Sequence, residues 1–142
     1  MAYVAGLLDG EGSIVIGVGK TRKGSPQYWL QVGITNTDRP LIDWLHQNLG
    51  GHISDNSHSP SRRRMRPCWV WRVMSNEAAA FLLRVTPHLR VKRQQAEIAV
   101  AFQKHMRTAK RLGPKSLSPE EIAVREAFRT RLRALTLGAH SM

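Results

Sequence analysis

The sequence predicts an α+β protein built from two α-β-β units followed by further helices. Three observations lead there. Ser13 to Gly19, Gln27 to Thr35 and Cys68 to Ser75 alternate apolar and polar side chains, the two-residue period of a half-buried strand. Between them, apolar residues recur at helical spacing, as at Leu41, Ile42, Leu45 and Leu49. Glycine, proline and capping residues separate these stretches at the expected places. The chain of 142 residues is one domain's worth, with a core over about residues 1–110 and a C-terminal helix over about 118–138.

The elements follow in order. Ala2 to Leu8 is apolar and helix-compatible, and Gly10 and Gly12 are placed to end it. The first strand should bury Ile14, Ile16 and Val18. A basic turn, Lys20 to Pro26, joins it to the second, which should bury Tyr28, Leu30, Val32 and Ile34. Asn36, Thr37 and Asp38 offer helix caps, Pro40 fits a first turn, and Gly50-Gly51 ends the second helix. A short strand at His52 to Asn56 and a polar arginine-rich loop lead to the strand after Cys68, with Trp69, Trp71 and Val73 inward. Ser75-Asn76-Glu77 should cap a helix that Thr86-Pro87 breaks. A longer helix is expected over Val91 to Thr108. The last is opened by a capping box at Ser118-Pro119-Glu120-Glu121 and stopped by Gly138.

Composition narrows the function. Hydrophobic residues make up 42%, enough for a packed core rather than a disordered chain. The apolar stretch Val4 to Leu8 is too short to span a bilayer and follows no basic segment, so neither a membrane nor a secretion signal is expected. Cys68 is the only cysteine, so no intrachain disulfide forms, and an intracellular setting is expected. The net charge of +12 points to a polyanion, with nucleic acid ahead of a membrane surface. That charge is uneven: residues 1–53 are net neutral, residues 54–83 carry +3 and residues 84–115 carry +8. A solvated basic protein of the ribosome-associated kind explains the charge equally well.

The chemistry-bearing stretch is Val4-Ala5-Gly6-Leu7-Leu8-Asp9-Gly10-Glu11-Gly12. Ala5 and Gly6 keep a helix face small, so a second backbone can approach closely. The helix end then delivers Glu11. Two such helices side by side bring two Glu11 carboxylates together, and paired carboxylates can share divalent cations on a phosphodiester. Taken alone, Asp9 and Glu11 read equally as solvated polar groups at a helix end.

This stretch, followed by Ser13-Ile14, resembles the signature of the LAGLIDADG homing endonucleases. Two later stretches are also similar to that family, Ile34-Thr35-Asn36-Thr37-Asp38 and Pro87 through Ala96, and the element order is that of its core. The resemblance implies an antiparallel, saddle-shaped sheet lying in the major groove of duplex DNA. One motif per chain implies a homodimer, with the helix seam at Val4, Ala5, Gly6, Leu8 and Asp9 and a palindromic or near-palindromic target. It implies divalent metal, Mg²⁺ first and Mn²⁺ or Ca²⁺ as possible occupants, at Glu11 and Gly10. It places Asn36 near the metal-water network and Lys92 near the scissile phosphate, with Asp9 structural. Site-specific double-strand cleavage and the mobility of an intron or intein gene follow. The alternative on the same fold is an RNA maturase or a non-cleaving DNA-binding protein.

The strand alternation supplies the candidate DNA face. Ser13, Val15, Gly17, Gln27, Trp29, Gln31, Ser54, Asn56 and Arg72 should point away from the helices. Gln27 and Gln31 can pair with adenine edges and Arg72 with guanine. Arg22 and Lys23 in the hairpin tip, and Arg62, Arg63, Arg64 and Arg66 in the long loop, are candidate phosphate or base-edge contacts. Trp29 is unexpected on a polar face. Gly17-Val18-Gly19-Lys20-Thr21 lacks the first glycine of a phosphate-binding loop, since Ile14 stands there. His52, His58 and Cys68 fit no common zinc spacing.

Overall fold

The computed structural model describes residues 1–20, 24–56, 66–109 and 117–140. Arg22, Lys23, Arg62, Arg63 and Arg64 lie outside the described residues. The elements are α1 (Ala2–Glu11), β1 (Gly12–Lys20), β2 (Pro26–Asn36), α2 (Arg39–Leu49), β3 (His52–Asp55), β4 (Trp69–Met74), α3 (Ser75–Val85), α4 (Arg93–Ala109) and α5 (Pro119–His140). A 3₁₀ turn at Thr86–His88 follows α3, where Pro87 interrupts the α-helical pattern.

The four strands form one antiparallel sheet in the order β1-β2-β4-β3. The hairpin pairs Gly12 with Ile34 at its base and Lys20 with Pro26 at its tip. Ile14, Ile16, Tyr28, Leu30, Val32, Ile34, Trp71 and Val73 are buried on one face, where Val4, Leu8, Ile42, Leu45, Phe81, Leu82, Ala99 and Phe102 join them in one core. Trp71 is fully buried, and its indole N–H donates to the Gly50 carbonyl at 2.8 Å, so this ring leaves no unpaired donor inside. Gly50 and Gly51 reach positive φ of 74° and 79° there, which stops α2 and turns the chain into β3.

Several boundaries depart from the sequence pattern. Gly10 does not end α1, which runs on to Glu11 and is closed by the Gly12 N–H on the Leu8 carbonyl. Gly138 does not end α5, which continues to His140. Val91 and Lys92 precede α4 rather than opening it. Ser75 takes a positive φ of 53° at the β4–α3 junction, and no side chain caps α3. Half of the expected capping box forms: the Ser118 hydroxyl accepts the Glu121 N–H at 3.1 Å. The Glu121 carboxylate turns elsewhere, to His105 and Arg125. Val18 is exposed rather than buried, and Cys68 and Val70 are buried rather than open. Among the described residues no helix is long and apolar enough to cross a membrane.

Candidate active site and nucleic-acid face

The hairpin register decides what Glu11 meets. Because Gly12 pairs with Ile34, the last residue of α1 is carried back beside the end of β2, where Asn36 stands. The Asn36 amide NH₂ donates to one Glu11 carboxylate oxygen at 2.5 Å. The Asn36 carbonyl oxygen accepts the Asp38 N–H at 2.8 Å, which fixes which end of the amide faces Glu11. Glu11 itself is exposed. Its second oxygen has no partner among the described residues and remains available to a cation or a ligand.

Asp9, two residues earlier, does the opposite. Its two oxygens accept the backbone N–H groups of Arg90 at 2.9 Å, Val91 at 3.2 Å and Lys92 at 3.0 Å. The carboxylate thus holds the turn that leads into α4. Lys92 answers by donating its ammonium to the Asp9 carbonyl at 2.6 Å, a cation placed at the carbonyl end of α1. Burial pushes the Lys92 ammonium below the ordinary lysine range, and the Asp9 charge offsets part of that. The expected site residues Glu11, Asn36 and Lys92 are therefore brought to one end of α1, with Asp9 as the group that positions Lys92. That role was not legible in the sequence, because the bonds join residues 81 to 83 positions apart.

Hard oxygen donors fit a divalent cation here. The candidates are the exposed Glu11 carboxylate and the last turn of α1 containing Gly10, where helix carbonyls lack intrahelical donors. Among the described residues no three His, Cys, Asp or Glu side chains converge to hold a metal. Of the two carboxylates of α1, Glu11 is the one left open, since both Asp9 oxygens are taken.

The expected seam residues divide. Val4, Ala5 and Leu8 are 3%, 0% and 0% exposed, packed in this chain's own core. This corrects their assignment, because side chains already enclosed cannot meet a second helix. Asp9 is half-buried and engaged with the Arg90–Lys92 turn. Gly6 is exposed, and with Ala2, Tyr3 and Gly10 it forms the outer face of α1.

The open face of the sheet is ordered in transverse rows. Ser13, Gly33, Arg72 and His52 lie across the four strands in register. Val15, Gln31 and Met74 make the next row, then Gly17 and Trp29, then Gly19 and Gln27. Arg72 Nε is buried without a hydrogen-bond partner among the described residues. Trp29 belongs on this face after all. Its indole lies over β1, and a Cβ on Gly17 would come within 2.5 Å of the ring, so glycine makes the room. Arg66, just before β4, is exposed.

The same architecture occurs in solved structures. The homing endonuclease I-CvuI, crystallised with DNA targets in the presence of Mg and of Ca, superposes with a TM-score of 0.76 over 94% of this chain and 80% of its own, at 16% identity. An archaeal intron-encoded homing endonuclease, I-Vdi141I, complexed with DNA, gives 0.75 over 94% of this chain and 81% of its own, at 18% identity. The LAGLIDADG homing endonuclease I-GzeII, in complex with a DNA target, gives 0.67 at 18% identity, and there this chain spans 43% of the longer one.

The fold is that of the LAGLIDADG homing endonucleases.

No protein-family model and no curated sequence matches, so the likeness is one of architecture. In LAGLIDADG terms, the helix bearing the signature-like stretch is α1, and the open face is that of the saddle sheet.

Proposed function

We propose that this chain is a site-specific double-strand DNA endonuclease that works as a homodimer with divalent metal, Mg²⁺ first. The observation that carries the reading is the Glu11 carboxylate at the end of α1, exposed and held by Asn36 through one oxygen only, two residues after the Asp9 that locks Lys92 in place. A carboxylate kept for structure has no reason to stay half-satisfied at a rigidly built helix end.

Two further features support the dimer. One chain offers one such carboxylate, and a second copy supplies the other. Also, a Cβ added at Gly6 or Gly10 would meet nothing within 4 Å inside the chain. Glycine in a helix costs about 0.5–1 kcal/mol relative to alanine. Its presence twice on the exposed face suits the close approach of a second backbone. Bringing two Glu11 groups together requires two α1 helices running side by side in the same direction, with the two-fold axis parallel to them.

In this reading Glu11 and the Gly10 turn hold the cation, which when bound supplies positive charge against the phosphodiester and lowers the pKa of bound water. Asn36 keeps Glu11 aimed. Lys92 presents a fixed ammonium to the charge developing on the scissile phosphate. Gln27, Gln31 and Arg72 read bases from the open face. Arg66, with Arg22, Lys23, Arg62, Arg63 and Arg64, grips phosphates. The two-fold reads a palindromic or near-palindromic target, and mobility of an intron or intein gene inside a cell is the corresponding biology.

The test is cleavage of a duplex library with Mg²⁺ by the wild type and by Glu11→Gln. Both should bind duplex with affinity that falls steeply with salt, and only the wild type should cut. If neither cuts any duplex while a structured intron RNA is bound tightly, the maturase reading replaces this one.

A further inference from the structure

Two features beside α1 have no role in the chemistry above. On one flank, Tyr3 and Trp44 stack edge to face with ring centroids 5.8 Å apart, yet they are 60% and 42% exposed. Both rings therefore keep a large part of their area open to solvent. On the other flank runs a groove of about 780 Å³, bounded by Ala2, Gly6 and Asp9 of α1 and by Pro87 to Arg90 and Arg93. Its far wall is held firmly: Asp9 fixes the Arg90 backbone, and the Arg93 guanidinium donates to the Pro87 carbonyl at 3.2 Å. That wall is cationic, with Arg90 and Arg93 side chains exposed.

A two-fold axis parallel to α1 exchanges the flanks. Whatever lies to one side of α1 in one protomer faces the opposite flank of α1 in its partner. We propose that the Tyr3–Trp44 pair of each protomer docks into the groove between α1 and the Pro87–Arg93 segment of the partner, once on each side of the helix seam. This rests on the homodimer reading above and names the surfaces that complete it. The chemistry matches: aromatic faces meet arginine guanidinium groups, a cation–π pairing, and Trp, Tyr and Arg dominate interface hot spots. A stable interface also needs more area than α1 alone offers. Stable interfaces bury about 1,200–2,000 Å². An α1 of ten residues is roughly 15 Å long, and its outer face is largely glycine and alanine, so it needs flanking contacts.

The test is a charge exchange followed by sedimentation equilibrium without DNA. In Trp44→Lys homodimers the introduced lysine faces Arg90, and in Arg90→Glu homodimers the introduced carboxylate faces Trp44. Each variant alone should dimerise roughly 30-fold or more weakly than wild type. In a mixture, the heterodimer pairs the introduced lysine with the introduced carboxylate on one side and keeps the native pairing on the other. It should form preferentially and recover most of the wild-type affinity. Circular dichroism checks that each variant folds, and Tyr3→Lys, at a still more exposed position, serves if Trp44→Lys does not. Wild-type dimers with variants that dimerise as tightly, or a mixture no tighter than its parts, overturn the docking while leaving the homodimer. A wild type that stays monomeric even with duplex DNA overturns the homodimer itself.

Discussion

Glu11 and Glu121 are both glutamates held by neighbouring side chains, and they are held to opposite ends. Glu121 is buried between α4 and α5. Its carboxylate accepts from His105 Nε2 at 2.6 Å and from Arg125 Nε at 3.1 Å, and Arg125 is buried with it. Burial alone would push this carboxyl up, but the hydrogen bonds and charges of His105 and Arg125 outweigh it and hold it below the usual range. Glu11 is exposed and receives one neutral amide. Saturation with donors inside the fold marks a group whose work is structural. Partial satisfaction at a rigid, open position marks one whose partner arrives from outside. Asp9 lies between the two, saturated by backbone N–H groups yet adjacent to the site.

The sharpest way to break this contrast is to neutralise Glu11. Glu11→Gln keeps the shape and the Asn36 contact but removes the charge. DNA cleavage should fall by roughly 10³-fold or more, the scale of losing a group that acts on the reacting phosphate. Thermal stability should stay within about 0.5 kcal/mol of wild type, as for a surface substitution. A large loss of stability would make Glu11 another Glu121.

The converse substitution is Glu121→Ala. It leaves Arg125 buried without a counter-charge, and calorimetry should record a loss of about 3 kcal/mol. Cleavage per folded molecule should not change. Acid sensitivity gives a second readout. Because the folded carboxyl titrates below its unfolded value, its stabilisation is complete above the ordinary glutamate range and is lost as pH falls through the folded pKa. In Glu121→Gln this group's share of the acid limb should disappear, flattening the stability profile below about pH 4.5.

Asp9→Asn tests the intermediate case. The amide can accept at one atom but turns a donor toward a backbone N–H that now lacks an acceptor. Stability should drop by about 2 kcal/mol, because a charge-assisted bond is replaced by a clash of donors. Activity should fall by about tenfold in the protein that remains folded, since Lys92 loses the turn that places it. An activity loss with no loss of stability would make Asp9 a direct participant.

Much of this was readable in the residues. The alternation of Ile14, Ile16, Leu30, Val32 and Ile34 determines the hairpin and its buried face, because a one-residue slip would invert every side chain. Glu11, Asn36 and Lys92 followed from the resemblance; the fold joins Asn36 to Glu11 and Lys92 to Asp9. Helix ends were less legible, because glycine permits a turn without enforcing one. A Cβ at Gly10 or Gly138 meets no atom within 4 Å, and both positions stay helical. Nor could the face of α1 be read from its composition. Val4, Ala5 and Leu8 look like Gly6 in a run of small and apolar residues, and only the docking of α1 on the sheet separates the buried three from the exposed glycine. The Glu121 latch was hidden for a related reason: the same residue served as a plausible capping-box partner for Ser118 until α4 came near.

The smallest expected effect concerns Gly6, and it has two signs. Inside one chain, nothing opposes a methyl group there. Gly6→Ala should therefore stabilise α1 by about 0.5–1 kcal/mol, measured by denaturant melts at concentrations low enough to keep the protein monomeric. If the outer face of α1 is a helix seam, the same methyl holds two backbones apart, and dimerisation should weaken in sedimentation at higher concentration. Opposite signs in the two regimes are what a glycine kept for a partner requires. An increase in stability with dimerisation unchanged would mean that the exposed face of α1 has no second helix against it, and the paired Glu11 arrangement would fall with it.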